Sequence, residues 1–427
     1  MKIYNNPPRS EWAAMLRRPA IDHSQLEAKV SAILQDIKKD GDEAVRKYTA
    51  QFDGAAPAHL QVTAEEIEAA ISQVPEELKQ AIQQAKANIE IFHQSQREEP
   101  QLIETMPGVR CWRKSVGIQK VGLYIPGGTA PLFSTILMLA IPAKIAGCKQ
   151  LVMCTPPAKD GSINPAILYT AQLVGVDMII KAGGVQAIGA MAFGTETVPA
   201  VYKIFGPGNQ YVTAAKQLVQ KEGLAIDMPA GPSEVLVVAD DSTDPAFVAA
   251  DLLSQAEHGV DSQVVLVALD QATIPAVQQA IETQLKELPR KDIAVKALLN
   301  SCAIYISDES EALDLVNEYA PEHLILNMRG ASAFAKRIIN AGSVFIGPYS
   351  PESVGDYASG TNHTLPTNGY ATAYSGVSLD SFCKKITFQE LTKEGLLNIG
   401  PVVEKMAEAE QLMAHKQAVS IRLAKIK

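Results

Sequence analysis

Gln255 and His258 stand three residues apart in Ser254-Gln255-Ala256-Glu257-His258, near the end of an apolar run, Pro245 to Leu253, that reads as a helix. Residues three apart on a helix share one face. An amide oxygen and an imidazole there can both point at one ion. Asp356 and His415 are further donors elsewhere in the chain. Two nitrogens and two oxygens suit zinc and related divalent ions, and the amide leaves coordination above four open. On spacing alone the competing reading is a pair of solvated helix-end residues. His415 by itself reads as a surface residue of a terminal helix.

Glu322-His323 follows Pro321 and precedes a segment, Leu324-Ile325-Leu326, that reads as a buried strand. An acid and an imidazole at a strand's start can both reach a cleft and serve general acid–base chemistry. Two exposed loop residues would give the same spacing. Cys148, at a helix end, and Cys154, in a strand, raise a third chemistry, a thiol that captures an aldehyde. Their apolar company fits buried structural thiols better. His363, in Gly360-Thr361-Asn362-His363, reads as a pocket residue rather than a ligand.

Two glycine turns could hold phosphates. Pro126-Gly127-Gly128 and Gly206-Pro207-Gly208-Asn209 each follow a strand and open a helix. That arrangement aims backbone N–H groups and a helix N-terminus at one point beyond a sheet's carboxyl edge. Neither is a GxGxxG fingerprint, and turn geometry alone accounts for either. Two in one block favour a nucleotide.

These residues need elements to position them. The first twenty residues read as a polar arm. Ser24 and Glu27 have capping-box spacing before a helix that Gly41 ends, and Thr63 and Glu66 repeat the spacing. A long helix follows from about Pro75 to Gln96, so the first hundred residues read as helical packing material. From Val121 strands and helices alternate, with strands at Val121–Ile125, Leu151–Cys154, Met178–Ile180 and Val201–Phe205. The alternation restarts at Glu234–Val238 and runs to Val344–Ile346, with one helix from Ile274 to Leu288. Continuous apolar strands of this kind belong in parallel sheets covered on both faces. The first block needs nothing from the amino-terminal helices, so it reads as an insertion that splits the other domain. Pro348 to Thr372 reads as a loop, and the chain ends in one helix, Val402 to Lys425, that carries Glu410 and His415.

The fold class expected is therefore α/β, with two Rossmann-like parallel-sheet domains, one inserted in the other, a helical amino-terminal region and a carboxy-terminal helical tail. The length, 427 residues, suits two or three domains. A net charge of −9 argues against nucleic acid, which rewards basic patches. The longest apolar stretch, Leu132 to Ile145, is too short and too interrupted to span a membrane. No apolar signal region opens the chain. Five cysteines without a CxxC pair fit free thiols in a reducing cytoplasm.

Seven spaced motifs, in order along nearly the whole chain, resemble the histidinol dehydrogenase family. They are Val121-Gly122-Leu123-Tyr124-Ile125-Pro126-Gly127-Gly128, Ile204-Phe205-Gly206-Pro207-Gly208-Asn209, Pro229-Ala230-Gly231-Pro232-Ser233-Glu234, Ala250-Asp251-Leu252-Leu253-Ser254-Gln255-Ala256-Glu257-His258, Glu318-Tyr319-Ala320-Pro321-Glu322-His323-Leu324, Gly355-Asp356-Tyr357-Ala358-Ser359-Gly360-Thr361-Asn362-His363, and Glu408-Ala409-Glu410 with His415. The resemblance implies oxidation of L-histidinol to L-histidine through the aldehyde, the last step of histidine biosynthesis, with two NAD reduced. It implies one zinc per subunit on Gln255, His258, Asp356 and His415, and substrate held by those residues with Ser233, His323 and Glu410. It implies NAD contacts from Tyr124, Gln186 and Asn209, and Glu322 and His323 as the acid–base pair. It further implies a homodimer whose tail reaches the partner's site. The division expected is an arm at 1–22, an α/β domain from 23–120 and 236–377, an inserted NAD-binding domain at 121–235, and the tail at 378–427. Without the resemblance, the residues also fit a zinc-dependent hydrolase in which Glu322 activates water, or a nucleotide-binding protein without catalysis.

Overall fold

Strands that are apolar at every position must be buried on both faces, and two parallel sheets meet that demand here. The computed structural model describes residues 1–19, 24–127, 130–229 and 231–426. The Ser24 side chain, expected to cap a helix, and Gly128 of the first glycine turn lie outside what is described.

The amino-terminal segment holds β1 (Lys2–Asn5), α1 (Arg9–Met15), α2 (Ser24–Phe52), α3 (Ala64–Ile71) and α4 (Glu76–Gln94). α2 breaks at Gly41, whose φ of 52° leaves the helical region, where one helix was expected to end. The capping box at Thr63 forms as its spacing predicts, with the Thr63 N–H donating to Glu66 at 2.8 Å and the Glu66 N–H to Thr63 at 3.3 Å. Next come β2 (Ile103–Met106) and β3 (Val109–Gly117); β3 pairs antiparallel with β2 on one side and β14 (Cys383–Leu391) on the other in a small sheet.

The inserted block runs β4 (Lys120–Tyr124), α5 (Phe133–Ala146), β5 (Gln150–Thr155), α6 (Pro165–Leu173), β6 (Met178–Lys181), α7 (Gly184–Phe193), β7 (Lys203–Phe205), α8 (Gln210–Lys221) and β8 (Ala225–Ile226). Its strands form one parallel sheet in the order β6-β5-β4-β7-β8. Val121, Leu123, Leu151 and Met153 face α5 and α6, while Tyr124, Val152 and Cys154 face α7 and α8. α3 and α4 complete the first layer, and α2 completes the second. The helices of residues 24–94 thus pack on this sheet, whereas the sequence assigned them to the other domain.

The second block runs β9 (Glu234–Ala239), α9 (Pro245–Ala256), β10 (Gln263–Ala268), α10 (Thr273–Gln284), α11 (Lys291–Leu299), β11 (Cys302–Tyr305), α12 (Glu309–Tyr319), β12 (His323–Asn327), α13 (Ala331–Ala335), β13 (Ser343–Ile346) and α14 (Glu352–Tyr357). The parallel order is β1-β11-β10-β9-β12-β13. The expected polar arm is therefore an edge strand, β1, followed by α1, whose Trp12 is wholly buried in the core beneath the sheet. An edge strand is hydrogen-bonded on one side only, so a short half-polar sequence suffices. The helix expected from Ile274 to Leu288 ends at Gln284, and the 348–372 loop contains α14. The terminal helix is two, α15 (Lys393–Ala409) and α16 (Met413–Ile426), broken where Gln411 takes a φ of 61°. No helix of the described residues is long and apolar enough to cross a membrane.

Candidate active site

The inserted sheet switches direction of winding at β4 and β7, so a crevice opens beyond the carboxyl ends of those strands. Tyr124 ends β4, and its hydroxyl accepts the Gly184 N–H at 3.1 Å at the start of α7. Burial pushes that phenol up to about 12, so it stays protonated. Gln186, one turn into α7, is fully buried and donates to Asp53 at 3.0 Å, while its Oε1 meets no partner. Asp53 directly follows α2 and also accepts the Gly183 N–H. Nothing in the sequence pointed to it.

The second glycine turn is pinned from both sides. The Gly206 N–H donates to Asp227 at 2.8 Å, and its carbonyl accepts from Lys216 at 2.9 Å; Lys216 and Asp227 pair with each other. Gly206 has a φ of 129°, and a β-carbon there would overlap the Tyr124 carbonyl. Asn209 caps α8, accepting from Tyr211 and Val212, and remains exposed. Tyr124, Gln186 and Asn209 therefore line one edge. The glycine cradle and the orphaned Gln186 oxygen fit a dinucleotide there.

The second cluster lies at the opposite, amino edge of the other sheet. His323 starts β12 with Glu322 immediately before it, and Ser233 immediately precedes β9 beside it. The Glu234 N–H donates to Glu322 at 2.8 Å, and its carbonyl lies 3.2 Å from His323 Nδ1. A carbonyl only accepts, so Nδ1 carries a proton and Nε2 is the nitrogen left to exchange one. Nε2 lies 3.4 Å from an Asp356 oxygen. Phe345 stacks beside the imidazole, 6.0 Å between centroids.

Burial raises Glu322 to about 7. Burial also disfavours charge on His323, but Glu322, Glu352 and Asp356 outweigh it and push the ring up to about 10. Asp356 sits below its ordinary value; burial opposes this, and the neighbouring histidines prevail. Glu352 was missed by the sequence reading. It is 1% exposed, accepts from Ser254 at 3.0 Å, has a second oxygen without a partner, and is pushed up to about 8 by burial. Its signal was the four-residue spacing to Asp356, invisible while that segment read as loop.

Gln255 is buried in the last turn of α9 with its Oε1 unpartnered. His258 lies just past the helix, its N–H on the Gln255 carbonyl at 3.3 Å. Solvent reaches its ring, yet the surrounding protein lowers its affinity for a proton. A neutral imidazole, an ionised Asp356 and an orphaned amide oxygen are the forms that bind a divalent cation. Three of the four expected donors thus fit a metal. The fourth does not join them: His415 and Glu410 are both exposed on α15–α16. Among the described residues no three His, Cys, Asp or Glu side chains gather closely enough to hold an ion.

His363 joins the two edges. Its Nδ1–H donates to the Asp356 carbonyl at 2.8 Å, and its Nε2 accepts from Thr135 on α5 at 3.2 Å. Cys148 is pushed up to about 12 and Cys154 further still, both by burial, so neither supplies a thiolate near neutrality.

A family model described as histidinol dehydrogenase matches residues 16–423. The chain belongs to the histidinol dehydrogenase family. It is 60% identical over 427 residues to histidinol dehydrogenase of Bacteroides thetaiotaomicron, covering all of both chains. It is 54% identical to the chloroplastic histidinol dehydrogenase of Arabidopsis thaliana, covering 98% of this chain and 90% of that one. The crystal structure of histidinol dehydrogenase from Elizabethkingia anophelis superposes with a TM-score of 0.98 at 58% identity, covering 100% of this chain and 98% of that one. Family membership makes the protein an oxidoreductase acting on CH–OH, which sets aside both the zinc hydrolase and the non-catalytic nucleotide binder.

Proposed function

We propose that the protein oxidises L-histidinol to L-histidine through L-histidinal, reducing two NAD, as the last step of histidine biosynthesis. Family membership supports this reading. The observation that carries it at the site is the buried Glu322–His323 pair with Asp356 and the partly unpartnered Glu352 against the imidazole. Gln255, His258 and Asp356 would hold zinc, which supplies a Lewis-acid anchor for the substrate's nitrogens and offsets the carboxylates' charge. NAD, held at Tyr124, Gln186 and Asn209, supplies the electron acceptor for each oxidation.

With Asp356 engaged by zinc, part of the negative charge that pushes the His323 ring up would be offset, and Nε2 of the neutral ring takes the proton of the alcohol in the first oxidation. Its Nδ1–H is committed to the Glu234 carbonyl, which fixes the ring and its tautomer. In the second oxidation Glu322 takes a proton from the water that adds to the aldehyde. A carboxyl near 7 is partly ionised at neutral pH and is a stronger base than an ordinary glutamate. Ser233, at the mouth of the same edge, contacts substrate.

His415 and Glu410 complete the site from a second copy of the chain, in a homodimer. Their exposure, and the absence of a complete donor set among the described residues, support exchange of the tail. The five free cysteines support the cytoplasm. The deciding experiment is absorbance at the NADH band after adding histidinol and NAD; no increase with zinc-loaded protein would remove the reading. Mixed dimers of His415→Asn and His258→Asn subunits should regain activity, because one of their two sites keeps every ligand. Inactive mixed dimers would place the tail in its own subunit's site.

A further inference from the structure

Arg18 belongs to no motif of the sequence and to neither cluster described above. Yet its guanidinium lies directly behind the acid–base pair. Its Nε donates to one Glu234 oxygen at 2.5 Å and its Nη2 to the other at 2.9 Å. Nη2 also donates to the Tyr319 carbonyl at 2.6 Å, and the guanidinium stacks 4.1 Å over the Tyr319 ring. Glu234 is almost wholly buried, and the Asn368 N–H adds a bond to its carboxylate at 2.7 Å.

Both groups that Arg18 holds lead to the pair. The peptide of Glu234 binds Glu322 through its N–H and His323 through its carbonyl. Tyr319 is the last residue of α12, and Ala320 after it is buried with a φ of 51° and a ψ of 64°. A residue with a β-carbon holds that conformation only where its surroundings impose it. Pro321, Glu322 and His323 follow at once. One side chain thus grips the carbonyl before the strained turn and, on the neighbouring strand, the residue whose backbone holds both members of the pair.

We propose that Arg18 is a positioning residue, fixing Glu322 and His323 through Glu234 and Tyr319; this rests on the reading of Glu322 and His323 as the acid–base pair. A merely structural role would need only a positive charge to balance Glu234. Positioning needs the planar fork, with two parallel bonds to the carboxylate and a third to the carbonyl, which an ammonium cannot reproduce.

The test is Arg18→Lys, which keeps the charge and removes the fork, assayed by steady-state kinetics with histidinol and NAD. Displacing reacting groups by about 1 Å costs on the order of a hundredfold. We expect kcat to fall about 10- to 100-fold, with KM for NAD and zinc content at wild-type values. A folded Arg18→Lys with wild-type kcat would overturn the proposal, as would equal losses in kcat, NAD affinity and zinc content, which mark general distortion. If Arg18→Lys fails to fold, Arg18→Met with Glu234→Gln removes the buried charges together. A lowered kcat with unchanged KM in that double variant supports positioning. Wild-type kcat in it, or failure of both variants to fold, assigns Arg18 to stability alone. Wild-type protein that makes no NADH would instead remove the functional reading beneath.

Discussion

The two parallel sheets share a winding order. Counted from the strand that starts each block, both run third-second-first-fourth-fifth, and the second adds β1 at its edge. They nevertheless offer opposite edges to the cleft. The inserted sheet offers its carboxyl edge, where α5, α7 and α8 begin. Helix N-termini and glycine turns there present N–H donors and partial positive charge, which suits a dinucleotide. The other sheet offers its amino edge, where α9 and α12 end. Helix C-termini carry partial negative charge, and Glu322, Glu352 and Asp356 add to it. That edge suits cations, whether a metal ion or a protonated amine. Under the proposed function, the usual rule that ligands sit beyond strand carboxyl ends holds for one sheet only. Polarity follows from which end of the layer faces the cleft.

The sharpest way to separate the two edges is Glu322→Gln. The amide keeps the shape and cannot take a proton. We expect oxidation of histidinal to fall about a hundredfold to ten-thousandfold, as for loss of a general base, while NAD binds as before. Wild-type oxidation of histidinal would make Glu322 structural. His258→Asn attacks the same edge through the metal. Since even a residue behind a ligand alters metal affinity by about 10- to 100-fold, loss of the ligand itself should lower zinc content and activity by at least about a hundredfold, with thermal unfolding little changed. Full zinc occupancy in that variant would contradict the assignment.

The carboxyl edge breaks separately. Gly206→Ala would press a β-carbon into the Tyr124 carbonyl and move the turn. The expected result is a KM for NAD raised about tenfold or more, roughly 1.4 kcal/mol, with zinc content unchanged. Coupled loss of zinc would mean that the edges are not independent.

The smallest effect concerns pH. Glu322 near 7 and Glu352 near 8 lie above the ordinary 4.5 of a glutamate, so the folded chain keeps protons that the unfolded chain releases. Their contribution to stability is full below about 4.5 and is lost as pH rises through 7 to 8. His323, raised to about 10 from 6.5, has the same sign and loses its contribution higher still. His93, His258 and His363, lowered by burial, act with the opposite sign only below about 6.5, so chelator-treated protein should melt lower at pH 8 than at pH 6.5, and Glu352→Gln should flatten that slope. A melting temperature that rises across this window would contradict the burial of these carboxyls.

The alternation of apolar strands and amphipathic helices was legible because it records burial on two faces, and it carried both sheets with boundaries within a few residues. The glycine turns, the Gln255–His258 spacing and the Glu322–His323 pair were legible because their chemistry is local. What lies between distant segments was not. β1 and β14 are short or half-exposed strands whose partners lie some 300 and 270 residues away in the chain, as in Lys2 with Cys302 and Thr387 with Arg113. Pairing at such separations leaves no periodic trace. Glu352, Asp53 and Arg18 are ordinary polar residues by type, and only packing shows that one faces His323, one meets Gln186, and one grips Glu234. The sequence by itself determined the two sheets and the residue types that the proposed chemistry uses. Only the tertiary structure decided which edge of each sheet meets the other, because that depends on contacts such as Thr135 with His363, between side chains with no pattern in common.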